Sequence, residues 1–187
     1  MMSIIFLDID GVLNSFEKHA DLNVPHSTWC PEVMNAFGIE LEVFPEMIER
    51  INRVTDATGA KLIISSSWRV GYLADWADVI IHLHNVGLKG FIVGRTPWDK
   101  DGPELRTRGR EIVAWFKQHP REKIDSFIIL DDLDKMEPLM DHLIQTDHRI
   151  GMQDEHVERA IEMLNQPVNI YQIADHWYFE RKTKDGN

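Results

Sequence analysis

The chain has 187 residues, 43% of them hydrophobic and 27% charged, which is ordinary for a globular protein with a hydrophobic core. Its length fits one domain with a small appendage. The formal net charge of −11 argues against an extended nucleic-acid-binding surface, because such surfaces carry a basic stripe that replaces counterions. A few local arginines that grip one phosphorylated end are still compatible with this charge.

Short apolar runs alternate with helical patterns along the chain. The apolar runs predict five strands, at Ser3–Asp8, Lys61–Ser65, Phe91–Val93, Ser126–Leu130 and Leu143–Thr146. Apolar residues at helical spacing predict four helices, at Phe44–Thr58, Tyr72–Val86, Arg108–His119 and Asp154–Leu164. Because strands that alternate with helices pair in parallel through crossovers, the sequence predicts an α/β sandwich.

Two segments do not follow this alternation. Residues 14–43 are irregular, contain Pro25 and Pro31, and are too long for an ordinary connection, so we expect a small flap or cap there. Residues 168–187 are predicted as a C-terminal extension whose charged end, Arg181–Asp185, is loosely held. With no repeat and no low-complexity tract, residues 1–187 are predicted to form a single domain.

The sequence also predicts the cellular compartment of the protein. No apolar run reaches the roughly 20 residues that span a bilayer, so we expect no membrane partner. The apolar stretch Ile4–Leu13 contains two aspartates and lacks the basic leader of a signal peptide. A single cysteine, Cys30, cannot form an intrachain disulfide, and a reducing cytoplasm is the compartment that this predicts.

Three of the predicted strands run directly into polar residues. The first leads into Asp8–Gly11, the second into Ser65–Arg69, and the fourth into Asp131–Asp134. Because ligands bind at the carboxyl ends of parallel strands, we expect carboxylates, a hydroxyl group and an arginine to converge at one edge. Clustered carboxylates repel each other, and a divalent cation such as Mg²⁺, which works beside substrate phosphate, relieves that repulsion.

The carboxylates of Asp8 and Asp10 can play two different chemical roles. One carboxylate can attack phosphorus, and the other can protonate the leaving oxygen and then activate water. A cation and an arginine can neutralise the charge of the transferring phosphoryl group. Gly11 allows the chain to turn sharply just after the strand.

These motifs resemble those of the haloacid dehalogenase (HAD) superfamily. The segment Phe6–Leu13 resembles its first motif, Leu62–Ser65 its second, and Ile128–Asp132 its fourth, in the right order and over residues 4 to about 155. The resemblance implies a Rossmann-like three-layer sandwich with a central parallel sheet and a small flap or cap insertion after the first strand.

A narrower resemblance rests on Ser65–Arg69, on Arg108–Ile112 and on Leu130–Asp132. Together they resemble the HAD domains associated with Swiss-army-knife RNA-repair proteins, which are related to the 3′-phosphatase domain of polynucleotide kinase-phosphatase. This resemblance implies a phosphorylated substrate, such as a nucleotide or a nucleic-acid end.

The superfamily resemblance implies roles for the four aspartates. Asp8 would be the nucleophile and a Mg²⁺ ligand. Asp10 would be the general acid and base, with its main-chain carbonyl on the metal. Asp132 would be the inner carboxylate of the metal site, with Asp131 beside it or behind it. Asp134 is more simply explained as the cap of a following helix.

The resemblance also implies a phosphate-binding side. Ser65, with Ser66 as an even possibility, would hydrogen-bond the phosphoryl oxygens. The superfamily's third motif is usually a lysine, whereas this chain offers Arg108, with Arg106 and Arg110 nearby. An arginine keeps the charge and can bind phosphate through two donors. Arg69 is a second candidate clamp.

Simpler interpretations stand beside these. An Asp-x-Asp at a strand end can be turn chemistry alone. Trp68 could stack on a base, but a buried tryptophan beneath the site is the more frequent case.

Three hypotheses for the function follow. The first is a Mg²⁺-dependent phosphomonoesterase that acts on a nucleotide or a polynucleotide 3′ end. The second is a phosphatase of a small metabolite or a phosphoprotein, with the same fold and different substrate contacts. The third is a catalytically silent HAD-like binding module, which would have no need of both Asp8 and Asp10.

Overall fold

The computed structural model describes residues 2–15, 17, 43–69, 76–98, 107–120, 122–173 and 176–181. Its strands are β1 (Met2–Leu7), β2 (Lys61–Ile64), β3 (Ile92–Arg95), β4 (Ile124–Asp131), β5 (Leu143–Gln145), β6 (Val168–Ile173) and β7 (His176–Arg181). Its helices are α1 (Pro45–Thr58), α2 (Trp76–Asn85), α3 (Arg108–Gln118) and α4 (Asp154–Leu164). Two short 3₁₀ turns cover Ser67–Arg69 and Met140–His142.

Five strands form one parallel sheet in the order β3-β2-β1-β4-β5. The central strand is β1, and its last residue, Leu7, lies opposite both Ile64 of β2 and Leu130 of β4. The prediction of an α/β, Rossmann-like three-layer sandwich is therefore confirmed. The register also brings the three polar strand ends next to each other at one edge of the sheet.

The alternation of side chains along the central strands divides the core into two layers. Ile5 and Leu7 point to one face, where they pack with the buried sides of α1, α2 and α4. Ile4 and Phe6 point to the other face, which is covered by α3 together with β6 and β7. Both faces of a parallel sheet are thereby removed from water, which is why its strands are apolar throughout.

Main-chain hydrogen bonds between neighbouring strands continue past the strand ends at the polar edge. The residue directly after a strand donates its N–H group to a carbonyl of the neighbouring strand in the sheet. The pairs are Asp8 to Leu130 (2.9 Å), Ser65 to Leu7 (2.8 Å), Thr96 to Ile64 (3.0 Å) and Thr146 to Asp131 (3.0 Å). The backbone of the polar edge is thus held by the sheet itself.

Within residues 168–173 and 176–181, the C-terminal extension is more ordered than its sequence predicts, whereas residues 182–187 lie outside the described residues. Strands β6 and β7 form an antiparallel two-stranded sheet, and Arg181, expected to be loosely held, is the last residue of β7. The expectation for Arg181 is wrong because Val168, Trp177 and Phe179 pack on the core layer of α3.

Other predicted segments lie partly outside the described residues. Residues 16 and 18–42 of the predicted flap, 14–43, lie outside the described residues. The division of the chain into a single domain stays a prediction.

Asp134 caps no helix directly, because the next helical turn begins only at Met140. Within the described ranges, no helix is both long enough and apolar enough to cross a membrane.

Arg181 joins the C-terminal strands to the main sheet. Its guanidinium donates to the carbonyls of Phe127 (2.9 Å), Met163 (2.9 Å) and Asp141 (3.2 Å). The Phe127 carbonyl belongs to the part of β4 that β5 does not reach, since β5 pairs only with Ile129–Asp131. The side chain therefore satisfies acceptors from three elements.

We predict that Arg181→Ala lowers the free energy of unfolding by about 2 kcal/mol, because buried carbonyl groups lose a charged donor. Denaturant unfolding of the purified protein measures this change. Arg159→Ala is the matched control, since its exposed ion pair with Glu162 contributes little. An equal effect of the two variants would contradict the role given to Arg181.

Candidate active site

Three carboxylates crowd together at the polar edge of the sheet. Asp8 follows β1, Asp131 ends β4, and Asp132 comes next. One carboxylate oxygen from each lies within 4.8 Å of the others. Asp131 is fully buried and Asp8 is only 4% exposed. The sheet register explains this proximity, because β1 and β4 are paired neighbours.

Burial and mutual repulsion make these carboxylates hard to ionise. Burial raises the pKa of Asp131 to about 8, and the charge of Asp8 adds to the effect. Burial also raises the pKa of Asp8 and of Asp132 above the ordinary aspartate range, and Asp8 again contributes to the shift of Asp132. The cluster therefore favours any cation that can enter it.

A glycine allows Asp132 to approach the first motif. Gly11 has a φ of 70°, and a Cβ atom at this position would lie 2.7 Å from Cγ of Asp132. The hydroxyl group of Thr146 donates to the Gly11 carbonyl at 2.7 Å, which fixes the turn. Glycine is required here both for the backbone conformation and for the space that Asp132 occupies.

Asp10 turns its carboxylate to a different set of partners. The indole N–H of Trp68 lies 3.0 Å from each of its oxygens, and Nδ2 of Asn14 donates to Oδ1 at 2.9 Å. The hydroxyl group of Ser67 is 3.4 Å from Oδ2. The carboxylates of the two aspartates of the first motif therefore have different hydrogen-bond partners, and Trp68, at 1% exposure, is buried next to Asp10.

Arg108, the first residue of α3, is the cation in direct contact with the cluster. Its Nη2 lies 3.4 Å from Oδ2 of Asp8, and its Nε lies 3.2 Å from Oδ2 of Asp131. Burial alone would lower the pKa of Arg108, but Asp8, Asp131 and Glu111 raise it above its usual value. Its Nη1 is buried and makes no hydrogen bond within the described part of the chain.

The close approach of α3 to the loop after β4 brings Arg108 to Asp131. The next residue, Gly109, lies so near this loop that a Cβ atom there would be 2.4 Å from the Met136 carbonyl oxygen. A larger residue at position 109 would push the start of α3 away from the loop. Gly109 therefore contributes to the ion pairs of Arg108 without touching the site.

Arg69 is buried beside Arg108, and its guanidinium donates hydrogen bonds to other residues of the protein. Its Nε donates to the Thr96 carbonyl at 3.1 Å, and its Nη2 donates to the Pro97 carbonyl at 3.2 Å and to Glu111 at 2.6 Å. Its Nη1 donates to the Ser66 carbonyl. The role of Arg69 as a phosphate clamp stays a prediction.

The two candidate serines are fully buried at the end of β2. The Ser66 hydroxyl hydrogen-bonds Asp8. The Ser65 hydroxyl lies 3.4 Å from that of Thr96. Both serines therefore lie at the same edge as the carboxylates. Of the two further arginines, Arg110 is exposed and Arg106 lies outside the described residues.

Glu111 is a member of this site that the sequence analysis missed. Its buried carboxylate pairs with Arg69 at 2.6 Å and lies 3.8 Å from Nη1 of Arg108. Burial raises its pKa, although the two arginines act in the opposite direction. The available signal was its position three residues after Arg108, which places both on one face of α3.

The donor set fits a hard divalent cation. Carboxylate oxygens are the ligands that Mg²⁺ takes in proteins, and three are already gathered here. Oδ2 of Asp131 is buried and accepts no hydrogen bond in the described ranges, although Arg108 is nearby. Of the four predicted metal ligands, the structure brings together the carboxylates of Asp8, Asp131 and Asp132, whereas the carboxylate of Asp10 lies with Trp68 and Asn14.

A parallel sheet with one aspartate directly after its central strand, and an acidic pair at the end of the neighbouring strand β4, is the arrangement typical of HAD-like proteins. The chain belongs to the family described as the HAD domain in Swiss Army Knife RNA repair proteins, whose model matches residues 4–157. No curated protein matches the chain. Family membership confirms the resemblance drawn from the motifs and supports a HAD-type phosphatase, with a phosphorylated substrate.

We predict that Asp132→Asn raises the thermal midpoint of the metal-free protein, because one of three crowded carboxylates loses its charge. The same change should abolish stabilisation by Mg²⁺, which for the unchanged protein amounts to about 1.4 kcal/mol at ten times Kd. Thermal unfolding with and without Mg²⁺ measures both effects.

The control for this experiment is Asp134→Asn, which removes the same charge from an exposed position on the same loop. It should leave the response to Mg²⁺ unchanged. Undiminished Mg²⁺ stabilisation of the Asp132 variant would place the cation elsewhere.

Proposed function

We propose that this protein is a Mg²⁺-dependent phosphomonoesterase that works through an aspartyl-phosphate on Asp8. The observation that carries the proposal is the division of the first motif. Asp8 lies within 3.4 Å of Arg108 and within the acidic cluster, whereas Asp10 is held separately by Trp68 and Asn14. A nucleophile and a proton-transfer group need such different surroundings.

In the proposed first step, a carboxylate oxygen of Asp8 attacks phosphorus. The bond from phosphorus to the leaving oxygen breaks as the bond to Asp8 forms, and Asp10 gives its proton to that oxygen. In the second step Asp10 takes a proton from water, the water oxygen attacks phosphorus, and Asp8 is released with inorganic phosphate. Bound by Asp8, Asp131, Asp132 and the carbonyl of Asp10, Mg²⁺ would supply positive charge that offsets the phosphoryl oxygens.

Arg108 is the proposed replacement for the usual lysine of the third motif. Its Nη1 has no hydrogen-bond partner in the described ranges, so an N–H group is available for a phosphoryl oxygen. Ser65 and Ser66 are proposed to bind the same oxygens. Arg69, which is held in place by its hydrogen bond with Glu111, is proposed to add positive charge beside Arg108. A buried guanidinium next to the nucleophile costs no reorganisation when phosphate arrives.

For the substrate we propose a nucleotide or a polynucleotide 3′-phosphate end. The family's association with RNA repair supports this choice. A second candidate, a phosphatase of a small metabolite or a phosphoprotein, is favoured by the net charge of −11, which repels long polyanions. The single cysteine supports the further proposal that the protein works in the cytoplasm.

We predict that Asp8→Asn lowers kcat/KM for every phosphoester by ~10³-fold or more, because the amide is not a nucleophile. The fold should persist, since the change removes a buried charge. Steady-state kinetics and the thermal midpoint are measured together. Asp56→Asn, an exposed change on α1, should keep full activity. Activity that survives Asp8→Asn would show that another group attacks phosphorus.

A substrate panel tests the class of leaving group. We expect Mg²⁺-dependent phosphate release from a 3′-phosphorylated oligonucleotide or a 3′-mononucleotide, and a lower kcat/KM for sugar phosphates and phosphopeptides. The reverse order would favour the second candidate. If none of these substrates is turned over with Mg²⁺, the chain is a binding module and the proposed phosphatase activity is wrong.

A further inference from the structure

The indole of Trp68 combines burial in the core with a hydrogen bond to a reactive group. Its single N–H lies 3.0 Å from both oxygens of Asp10, so it is shared between them. Trp68 is 1% exposed, and its ring belongs to the core layer of α1, α2 and α4. A hydrogen bond from a buried ring has one geometry, because the ring cannot move without opening the core.

The turn that carries Trp68 is itself held on both sides. The Arg69 amide donates to the Ser66 carbonyl at 3.2 Å, and the Arg69 guanidinium is bound to Glu111. The Trp68 ring also packs against His82 of α2, with 5.9 Å between ring centres. The position of the indole N–H is therefore set by β2, α2 and α3 together.

Asn14 holds Asp10 from the other side. Its Nδ2 donates to Oδ1 of Asp10 at 2.9 Å, while its own Oδ1 accepts the N–H group of Gly11 at 2.9 Å. Oδ1 of Asp10 thus has two donors at 3.0 Å or less. Among the described residues, Oδ2 shares the indole N–H and otherwise has only the Ser67 hydroxyl at 3.4 Å, so it is the oxygen with more capacity for a new partner.

We infer that Trp68 is a positioning residue that fixes the Asp10 carboxylate for proton transfer at Oδ2. This inference rests on the proposed phosphatase function. Without the indole donor, the Asp10 carboxylate would keep, among the described residues, only Asn14 at Oδ1 and the longer contact of the Ser67 hydroxyl at Oδ2. A rotated carboxylate would no longer present Oδ2 to the leaving oxygen and would be lost as the proton-transfer group.

The test uses two leaving groups that differ in their need for a proton. An alkoxide must be protonated as it leaves, so hydrolysis of a nucleoside 3′-phosphate depends on Asp10. The p-nitrophenolate ion leaves without a proton, so p-nitrophenyl phosphate does not need the acid. Because kcat/KM extends only to the first irreversible step, it isolates formation of the aspartyl-phosphate.

Trp68→Phe keeps most of the buried ring and removes the N–H group. We expect kcat/KM for the nucleoside 3′-phosphate to fall by ~10-fold or more, which is part of the usual contribution of a general acid. The value for p-nitrophenyl phosphate should change by no more than about 3-fold, which is small on the same scale. A structural defect alone would lower both values together.

Trp115→Phe is the matched control. Trp115 is also a buried tryptophan, and it packs against Phe6 in the core layer of α3, away from Asp10. Its variant should leave the ratio of the two kcat/KM values unchanged. If Trp68→Phe does not fold, as judged by its thermal midpoint, Asn14→Ala removes the other donor at Oδ1 and should give the same selective loss.

The outcomes distinguish the positioning role of Trp68 from the proposed phosphatase function. If the unchanged protein hydrolyses both substrates and the Trp68 and Asn14 variants alter both values equally, the positioning role is overturned and the proposed function stands. If the unchanged protein hydrolyses neither substrate with Mg²⁺, the proposed function is overturned and the positioning role with it.

Discussion

The arrangement of the site depends on the packing of Asp8, Asp131 and Asp132 against Arg108. Three carboxylates within 4.8 Å at a largely buried edge are tolerable only beside positive charge, and Arg108, the cation that contacts them among the described residues, cannot balance them all. Burial is the main cause of the raised pKa values of all three aspartates, and neighbouring carboxylates add to it. A cluster of carboxylates that is unfavourable by itself suits a divalent cation, which is the basis for proposing one here.

The sheet supports this arrangement because its hydrogen bonds extend to the polar edge. The amides of Asp8, Ser65, Thr96 and Thr146 are bound to the neighbouring strands. The buried salt bridge of Arg69 with Glu111 then fixes α3 relative to the turn after β2. Rigid elements, rather than loops alone, therefore determine the distances between the reactive groups.

Much of the architecture could be predicted because it depends on local patterns. Apolar runs that end in aspartate or serine identified β1, β2 and β4, and helical spacing identified α4 with its observed ends, Asp154 and Leu164. The Trp68 contact with Asp10 could not be predicted, because the two residues are 58 positions apart and the contact depends on the rotation of a buried ring. Glu111 was missed for a different reason, since an acidic residue in the first turn of a helix is usually explained by the helix dipole.

The C-terminal strands were underestimated because their apolar residues are separated by polar ones and the tail ends in charges. Alternation of this kind is typical of a strand that packs on one face. The family match ends at residue 157, so β6 and β7 lie beyond the region that its motifs describe. The alternation indicates the two strands, but their packing on Phe127 and its neighbours depends on contacts far apart in sequence.

The contact between Arg181 and the Phe127 carbonyl has a consequence for solubility. β5 covers only the last residues of β4, so the first half of β4 has no strand partner on that side within the main sheet. An open strand edge beside apolar side chains is a template for pairing with another chain. The C-terminal strands cover that edge, so a truncation before Val168 would expose a surface on which another chain could pair, even if the acidic cluster stayed intact.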